Sequence, residues 1–415
     1  KKRQIRGTLL SVKTRQSAIG MTLVMCLAEI CSMSGFSAYT TLLPQFQREW
    51  SLTNSAAGLI GGFVFAGYMC AVPILTALTD RCDSRKVYAG ACFLSAFGAL
   101  GFTLFAQGLM SALLFQFFIG AGLGGTYMPG LKTLTDHLQG ASQARATAFY
   151  AGCFGFGSSL SIAVCGALAT YGGWRAAFIF ATLGPVVAAV LVNVYMPKGQ
   201  TQSLEQSVTS LLNFTPALAQ PTTRYYILGY AVHNFELFGH RSWMVAFLAF
   251  SLTLQPSVST IAWGAASLGA LINLSGPLMS ILGNEFALRI GRSKVIYFFM
   301  ALSGLGACCL GFTAGLPIAV VFVLMFIHYG LMLGDSATLT AGAIGSAPTH
   351  LRGSVLAIYS FVGFSAALVA PITFGLVLDY AGGNQSTQAW GLAFMSIGVF
   401  GALSPLARWG FKRFS

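Results

Sequence analysis

Apolar residues fill this chain in long runs, and polar residues gather in the short stretches between the runs. A predominantly apolar run of about 18 residues or more can cross a bilayer as a helix, whereas β-barrel strands give short alternating segments. The pattern therefore predicts an all-α membrane protein with twelve transmembrane helices. The runs cover approximately 18–43, 55–78, 87–107, 109–131, 147–170, 174–196, 225–251, 261–283, 294–314, 317–344, 354–378 and 388–406.

One long polar segment, 197–224, divides the twelve runs into two sets of six. It is rich in Ser, Thr, Gln and Pro, a composition typical of a linker. The division predicts two pseudo-symmetric six-helix bundles. We expect a basic cytoplasmic N-terminal segment at 1–17, an N-terminal bundle at 18–196, a cytoplasmic linker at 197–224, a C-terminal bundle at 225–407 and a cytoplasmic tail at 408–415.

Matching landmarks indicate that the second set of runs repeats the first. Three pairs of residues share the same separation of 207 positions: Glu29 and Glu236, Arg85 and Arg292, and Arg145 and Arg352. The two glutamates each lie within a long apolar run. An ionisable group inside a bilayer is costly and usually marks an ion or substrate pathway. Repeated halves around a midplane site are how many secondary transporters are built.

Composition and charge support a lipid environment and argue against nucleic acid. Hydrophobic residues make up 55% of the chain and charged residues 8%, against about 25% charged residues in soluble proteins. The net charge of +13 could suggest a nucleic-acid partner, but the basic residues gather in loops on one face of the predicted membrane protein. This distribution follows the positive-inside rule. We therefore predict both termini in the cytoplasm and no nucleic-acid binding.

The first apolar run is predicted to be a retained span, because it is too long for a signal peptide and contains Glu29. The nine cysteines show no zinc-ligand spacing. We expect no disulfide, no metal site and no cofactor.

Two loops carry related motifs, LTDRCDSRKVY at 78–88 and GNEFALRIGRSKVI at 283–296. Both resemble the loop signature of the major facilitator superfamily, Gly-x-x-x-Asp-Arg-x-Gly-Arg-Arg/Lys. Thr76 and Asp83 replace two of its glycines in the first copy, and Leu288 replaces its acid in the second. GGWRAAF at 172–178 resembles the family's entry into span 6. With the six-plus-six division, the resemblance covers essentially the whole chain. The matching loop residues are Asp80, Arg81, Arg85, Arg289 and Arg292.

The resemblance implies the fold of this superfamily and transport by alternating access, with these five loop residues in conformational gating. Simple retention of positive charge on the cytoplasmic side is the alternative role of the loop charges. Segments such as HNFELFGHRSW at 233–243 resemble bacterial inner-membrane members. We therefore expect a monomer in the bacterial inner (plasma) membrane, with a small-molecule substrate and protons as partners.

Spans 1, 4, 7 and 10 line the central cavity in this superfamily, and they hold the candidate site. A buried Glu beside His residues is suited to handling protons. The predicted proton-coupling residues are Glu29, Glu236, His233, His240 and Asp335. The predicted substrate-binding residues are Phe36, Tyr39, Tyr127, Lys132, Arg241, Trp243 and His328. The alternatives are structural acids and histidines, aromatic residues that only pack, and Arg241 and Lys132 side chains that snorkel outward.

Two departures from family patterns bear on function. Gln116 stands where many proton-coupled members carry Arg, and span 5 lacks the Gly-Pro pair of drug/proton antiporters. We predict a proton-coupled secondary transporter of a small polar or anionic solute. A polyspecific drug/proton efflux pump is the first alternative, and a non-transporting membrane receptor or membrane-embedded enzyme is the remote one. The chain shows no nucleotide loop or nucleophile–base motif, so we expect no enzymatic activity.

Overall fold

The computed structural model describes residues 18–198, 218–255, 264–348 and 351–405, without the side chains of Asp80, Ala144 and Arg352. All regular secondary structure in these residues is helical, as the apolar pattern predicts. We call residues 18–198 the N-terminal half and residues 218–405 the C-terminal half. The predicted N-terminal segment, most of the predicted linker and the predicted tail lie outside the described residues.

Six helices form the N-terminal half. Gly140–Tyr195 comprises two of them, α5 and α6, which meet at Gly173, where a φ of 69° breaks the helix. α1 contains a 3₁₀ turn at Met33–Gly35, and α4 is interrupted between Gly124 and Tyr127. The other bounds are α1 Ala18–Glu49, α2 Asn54–Arg81, α3 Ser84–Phe105 and α4 Leu109–Thr135.

Six further helices form the C-terminal half. α8 is interrupted at Leu274, between Ala265–Asn273 and Ser275–Ile290. α10 is interrupted at Gly334 and Asp335, between Ile318–Leu333 and Ser336–Ser346. The bounds are α7 Pro221–Thr253, α8 Ala265–Ile290, α9 Arg292–Leu310, α10 Ile318–Ser346, α11 Arg352–Tyr380 and α12 Thr387–Ala402.

Within the described residues, nine helices are long and apolar enough to cross a membrane, with α5 and α6 counted as one. α7 is excluded because its polar residues lower its hydropathy, and α12 because it has 16 residues. The described residues nevertheless form twelve helical segments, six in each half. The chain is an integral multi-pass membrane protein.

The two halves meet most closely where α2 packs against α11. A Cβ atom added to Gly58 would lie 2.1 Å from the Pro371 carbonyl oxygen, and one added to Gly62 would lie 2.4 Å from that of Leu368. No side chain fits at this distance, so glycine allows the two backbones to touch. The same device, small residues at a helix crossing, is common in membrane proteins.

The ends of the helices differ in chemistry. We call the end that carries Arg81, Arg85, Arg289 and Arg292 the basic end, and the opposite end, where Asn54 meets Asp379, the far end. At the far end Asp379 accepts hydrogen bonds from the backbone N–H groups of Asn54 and Ser55, at 3.0 and 2.8 Å, and from Asn54 Nδ2 at 2.8 Å. A carboxylate from the C-terminal half thus caps the first turn of α2 in the N-terminal half.

The loop residues predicted to gate transport occupy the basic end. Arg85 is buried, pairs with Asp83 at 2.7 Å, and donates from Nη1 to the Met196 carbonyl oxygen at 2.7 Å. It therefore joins the start of α3 to the end of α6 within one half. Arg81, Arg289 and Arg292 are exposed, and the Asp80 side chain lies outside the described part. Gating by these residues stays a prediction.

Candidate functional site

Arg241 lies near the middle of α7 and contacts both halves of the molecule. Only 8% of its surface is exposed. Its Nε donates to Tyr329 Oη at 3.1 Å, and its Nη2 donates to Tyr329 Oη and, at 3.0 Å, to Asn273 Oδ1. The guanidinium carbon lies 5.6 Å from the ring centres of Phe36 and Phe238. Arg241 therefore points into the protein and does not snorkel toward lipid.

The positive charge of Arg241 has no acidic partner among the described residues. Taking a charge out of water costs several kcal/mol. Hydrogen bonds that involve a charged group recover about 1.5–3 kcal/mol each, and cation–π contacts about 0.5–2 kcal/mol. These neutral partners reduce the cost of burial but leave the charge uncompensated. A small anion beside the guanidinium group would supply the missing negative charge.

Asn273 joins the Arg241 site to the N-terminal half. It ends the first segment of α8 and is fully buried. Its Oδ1 accepts from Arg241, while its Nδ2 donates to Ser159 Oγ at 2.7 Å and to the Gly155 carbonyl oxygen at 3.2 Å. Both acceptors belong to α5. One side chain thus links the buried cation to the opposite half.

Glu236 and His328 form a buried pair between α7 and α10. His328 Nε2 lies 3.3 Å from Glu236 Oε1 and 3.1 Å from the Ser303 carbonyl oxygen. Ser303 Oγ donates to Glu236 Oε2 at 3.1 Å. A carboxyl group in contact with an imidazole can exchange a proton with it, because imidazole changes its charge near neutral pH.

A second acid–histidine pair lies closer to the basic end. His233 Nδ1 is 2.8 Å from Asp335 Oδ1, and both side chains are buried. The interruption of α10 places Asp335 at the start of the segment Ser336–Ser346. His240 lies with its ring centre 5.0 Å from that of His328 and 5.7 Å from that of Tyr329. Side chains that can titrate therefore extend from Asp335 to Tyr329, whose hydroxyl group accepts a hydrogen bond from Arg241.

Glu29, the matching acid of the N-terminal half, has a different environment. It is fully buried. It accepts a hydrogen bond from Tyr150 Oη at 2.8 Å and a longer one from Ser32 Oγ at 3.5 Å. No cation or histidine contacts it among the residues that the structure describes. The duplication preserved the position of the acid but not its partners.

The aromatic residues predicted to bind substrate divide into two groups. Phe36 lies beside Arg241, and Tyr127 is connected to it only through Phe154, whose ring centre is 5.5 Å from that of Phe36 and 5.8 Å from that of Tyr127. Tyr39 and Trp243 make other contacts. Tyr39 stacks on another ring and donates to the Ala57 carbonyl oxygen, whereas Trp243 is fully buried and donates to that of Pro371.

Lys132, the other predicted substrate-binding cation, lies toward the basic end. Its Nζ is 3.2 Å from Asp136 Oδ2, one turn further along the chain, and the pair is partly exposed. Its charge is therefore balanced locally. Within the described residues, no cluster of three or more His, Cys, Asp or Glu side chains could hold a metal ion.

Sequence reasoning missed Asn273, Tyr329, Tyr150 and Ser303. Asn273 and Ser303 lie on α8 and α9, outside the four spans considered as cavity-lining. Tyr329 directly follows His328 in the chain, and a single tyrosine in an apolar run carries little signal of its own. An amide in an apolar stretch, as in ALINLSGPL, was the signal that could have identified Asn273.

Comparisons with known proteins agree on one family. A family model described as Major Facilitator Superfamily matches residues 25–371. The cis,cis-muconate transport protein of Acinetobacter baylyi is 23% identical over 375 residues, which cover 87% of this chain and 88% of that protein. The gentisate transporter of Corynebacterium glutamicum is 25% identical over 384 residues, covering 89% of this chain and 82% of that protein.

The fold has close counterparts among solved structures. The crystal structure of a point mutant of the nucleoside transporter NupG superposes with a TM-score of 0.76 and 15% sequence identity. The match covers 93% of this chain and 99% of that one. At this identity the likeness concerns the fold alone.

Proposed function

The chain belongs to the Major Facilitator Superfamily, and we propose that it is a proton-coupled secondary transporter of a small planar carboxylate. The observation that carries the proposal is Arg241, a buried cation that contacts both halves and has no acidic partner in the described part of the chain. A midplane site between repeated halves is the usual binding place in transporters of this kind.

The surroundings of Arg241 favour a planar anion over other solutes. A guanidinium group recognises a carboxylate by two parallel hydrogen bonds. The rings of Phe36 and Phe238 lie beside the guanidinium group and give the site two apolar faces. Muconate and gentisate, after which the two relatives are named, are both small conjugated carboxylates. The proposal extends that class of substrate to this chain.

Proton coupling is assigned to the acid–histidine pairs of the C-terminal half. Glu236 with His328, and His233 with Asp335, are buried and lie on the same helix as Arg241 or beside it. A proton held by one of these pairs would offset negative charge brought by the substrate. We also propose that the basic end faces the cytoplasm of a bacterial cell, following the positive-inside rule, and that the protein acts as a monomer.

Binding to purified protein tests the substrate class. Gentisate, cis,cis-muconate and benzoate should bind, whereas the neutral analogue benzamide should bind at least about tenfold more weakly because it lacks the charge. Arg241→Gln should abolish the difference between benzoate and benzamide. Lys132→Gln is the matched control, because it removes a cation that is already paired with Asp136, and it should change benzoate affinity little.

Three results would count against the proposed substrate class. One is equal affinity for benzoate and benzamide in the parent protein. A second is full benzoate binding by Arg241→Gln. A third is binding of a cationic dye such as ethidium in place of every carboxylate, which would support the efflux-pump alternative. Uptake of a bound carboxylate into proteoliposomes, driven by a pH gradient and abolished by a protonophore, tests the coupling.

A further inference from the structure

Asn273 occupies the junction between the buried cation and the opposite half. We infer that Asn273 is a positioning residue: it orients Arg241 for an anion, and it does so only while α5 holds it in place. The inference rests on the proposed carboxylate site. It adds a residue that need not touch the substrate and that makes the affinity for substrate depend on contact between the halves.

The orientation of the Asn273 amide follows from its neighbours. Ser159 Oγ donates its own hydrogen to the Gly155 carbonyl oxygen at 3.0 Å, so toward Asn273 it can only accept. The Gly155 oxygen, 3.2 Å from Asn273, is also an acceptor. The group that faces α5 must therefore be the NH₂ group of Asn273. Its oxygen is thereby turned toward Arg241, whose guanidinium group can only donate.

The fixed oxygen in turn fixes the guanidinium group. Asn273 Oδ1 and Tyr329 Oη both accept hydrogen bonds from Arg241 Nη2, and Tyr329 Oη also accepts one from Nε. Arg241 Nη1 makes no hydrogen bond with the described residues. A planar guanidinium group held along its Nε–Nη2 edge presents Nη1 in a defined direction, and a carboxylate can accept a hydrogen bond from this nitrogen.

Alternating access would disturb this arrangement. When the halves separate between α5 and α8, the Asn273 NH₂ group loses Ser159 and Gly155, and its oxygen keeps only its bonds with Arg241 and Tyr329. The oxygen is then held less firmly toward Arg241. Because coupling between two events is reciprocal, anion binding at Arg241 must also stabilise the contact between Asn273 and α5.

A double-mutant cycle tests the inference, with benzoate and benzamide as probes and full-length purified protein. Asn273→Ala should weaken benzoate binding by about tenfold or more, since a hydrogen bond to a charged group is lost. Ser159→Ala should weaken it by roughly threefold to tenfold, although Ser159 does not contact Arg241. The double variant should bind no more weakly than Asn273→Ala alone, because Ser159 acts through Asn273.

The control is Ser158→Ala, which removes a buried serine of the same helix whose partner, Ser37, lies in its own half. It should leave benzoate binding unchanged. Benzamide binding should stay constant in every variant, because general damage to the site would weaken both probes. If Asn273→Ala does not fold, Ser159→Ala against Ser158→Ala still decides the question.

The outcomes separate this inference from the proposed function. Failure of every carboxylate to bind the parent protein would overturn both. Carboxylate binding that needs Arg241 but is unaffected by Asn273→Ala or Ser159→Ala would overturn only the positioning role. Losses from the two single variants that add in the double variant would show that Ser159 and Asn273 act separately, which also contradicts the inference.

Discussion

Asp379 Oδ1 accepts hydrogen bonds from both the backbone N–H and the side-chain amide of Asn54, although the two residues belong to opposite halves. Asn54 begins α2, so the carboxylate meets N–H groups that the helix itself leaves unpaired. The positive end of the helix dipole also favours a negative charge at this position. One acidic side chain therefore fastens the two halves at the far end.

Removing this carboxylate should loosen the far end. We expect Asp379→Ala to shift the protein toward conformations that are open at the far end, because its three hydrogen bonds to Asn54 and Ser55 are lost. Spin labels on cysteines placed at the exposed positions Arg48 and Gln385 would report the change as a longer mean distance, in a background without reactive native cysteines. Asp136→Ala, which removes an acid at the basic end, is the control. An unaltered distance distribution in Asp379→Ala would mean that packing alone closes this end.

The contact between α2 and α11 should be intolerant of a single methyl group. Gly58→Ala would place its Cβ 2.1 Å from the Pro371 carbonyl oxygen, so the helices must move apart. Overpacking of this kind costs about 1–3 kcal/mol, and we expect a lower melting temperature. Gly90→Ala is the matched control, since no atom lies within 4 Å of its added Cβ. Equal melting temperatures for the two variants would contradict the close approach.

The two duplicated acids should contribute unequally to proton coupling. Glu236→Gln is expected to abolish uphill accumulation of substrate while sparing exchange, because Gln cannot carry a proton to or from His328. Glu29→Gln should retain accumulation, since an amide oxygen can still accept the hydrogen bond from Tyr150. Both variants are measured by proteoliposome uptake with and without a pH gradient. Loss of accumulation in Glu29→Gln, with exchange intact, would show that both acids carry the proton.

Arg85 should matter for stability more than its exposed neighbour Arg81. Arg85→Ala leaves the Met196 carbonyl oxygen without its donor and breaks the ion pair with Asp83. A loss of about 1–3 kcal/mol follows from leaving a buried polar group unsatisfied. We expect a lower melting temperature for Arg85→Ala and little change for Arg81→Ala. If the two variants have the same melting temperature, Arg85 serves only to set the topology.

The fold was accessible from the sequence because bilayer thickness constrains every span in the same way. A run of about 20 apolar residues has few alternatives to a membrane helix. α7 shows why the overall pattern is more reliable than any single span. Its polar residues reduce its hydropathy, yet its apolar run at 225–251 is long enough to be counted among the twelve predicted spans.

The site was predictable only in part, because its contacts join residues that are distant in the chain. His233, Glu236 and His240, which the sequence marks as ionisable groups of one span, are all buried, and each approaches a side chain of α10. Nothing in the local sequence of Arg241 indicates that its partners are Asn273 and Tyr329. Lys132 differs in this respect, because the partner of its charge, Asp136, lies one helical turn further along the chain, and this ion pair could have been predicted from the sequence.

The acid–histidine pairs and Arg241 all belong to the C-terminal half, whereas the N-terminal half contributes uncharged walls such as Phe36. Suppose the halves rock against each other as two bodies. The substrate and the coupling proton would then stay on the same body, and their separation would remain constant through the cycle. Only the surface of the N-terminal half that faces them would change. The electrostatic attraction between proton and substrate would therefore not have to be broken and formed again at each turnover.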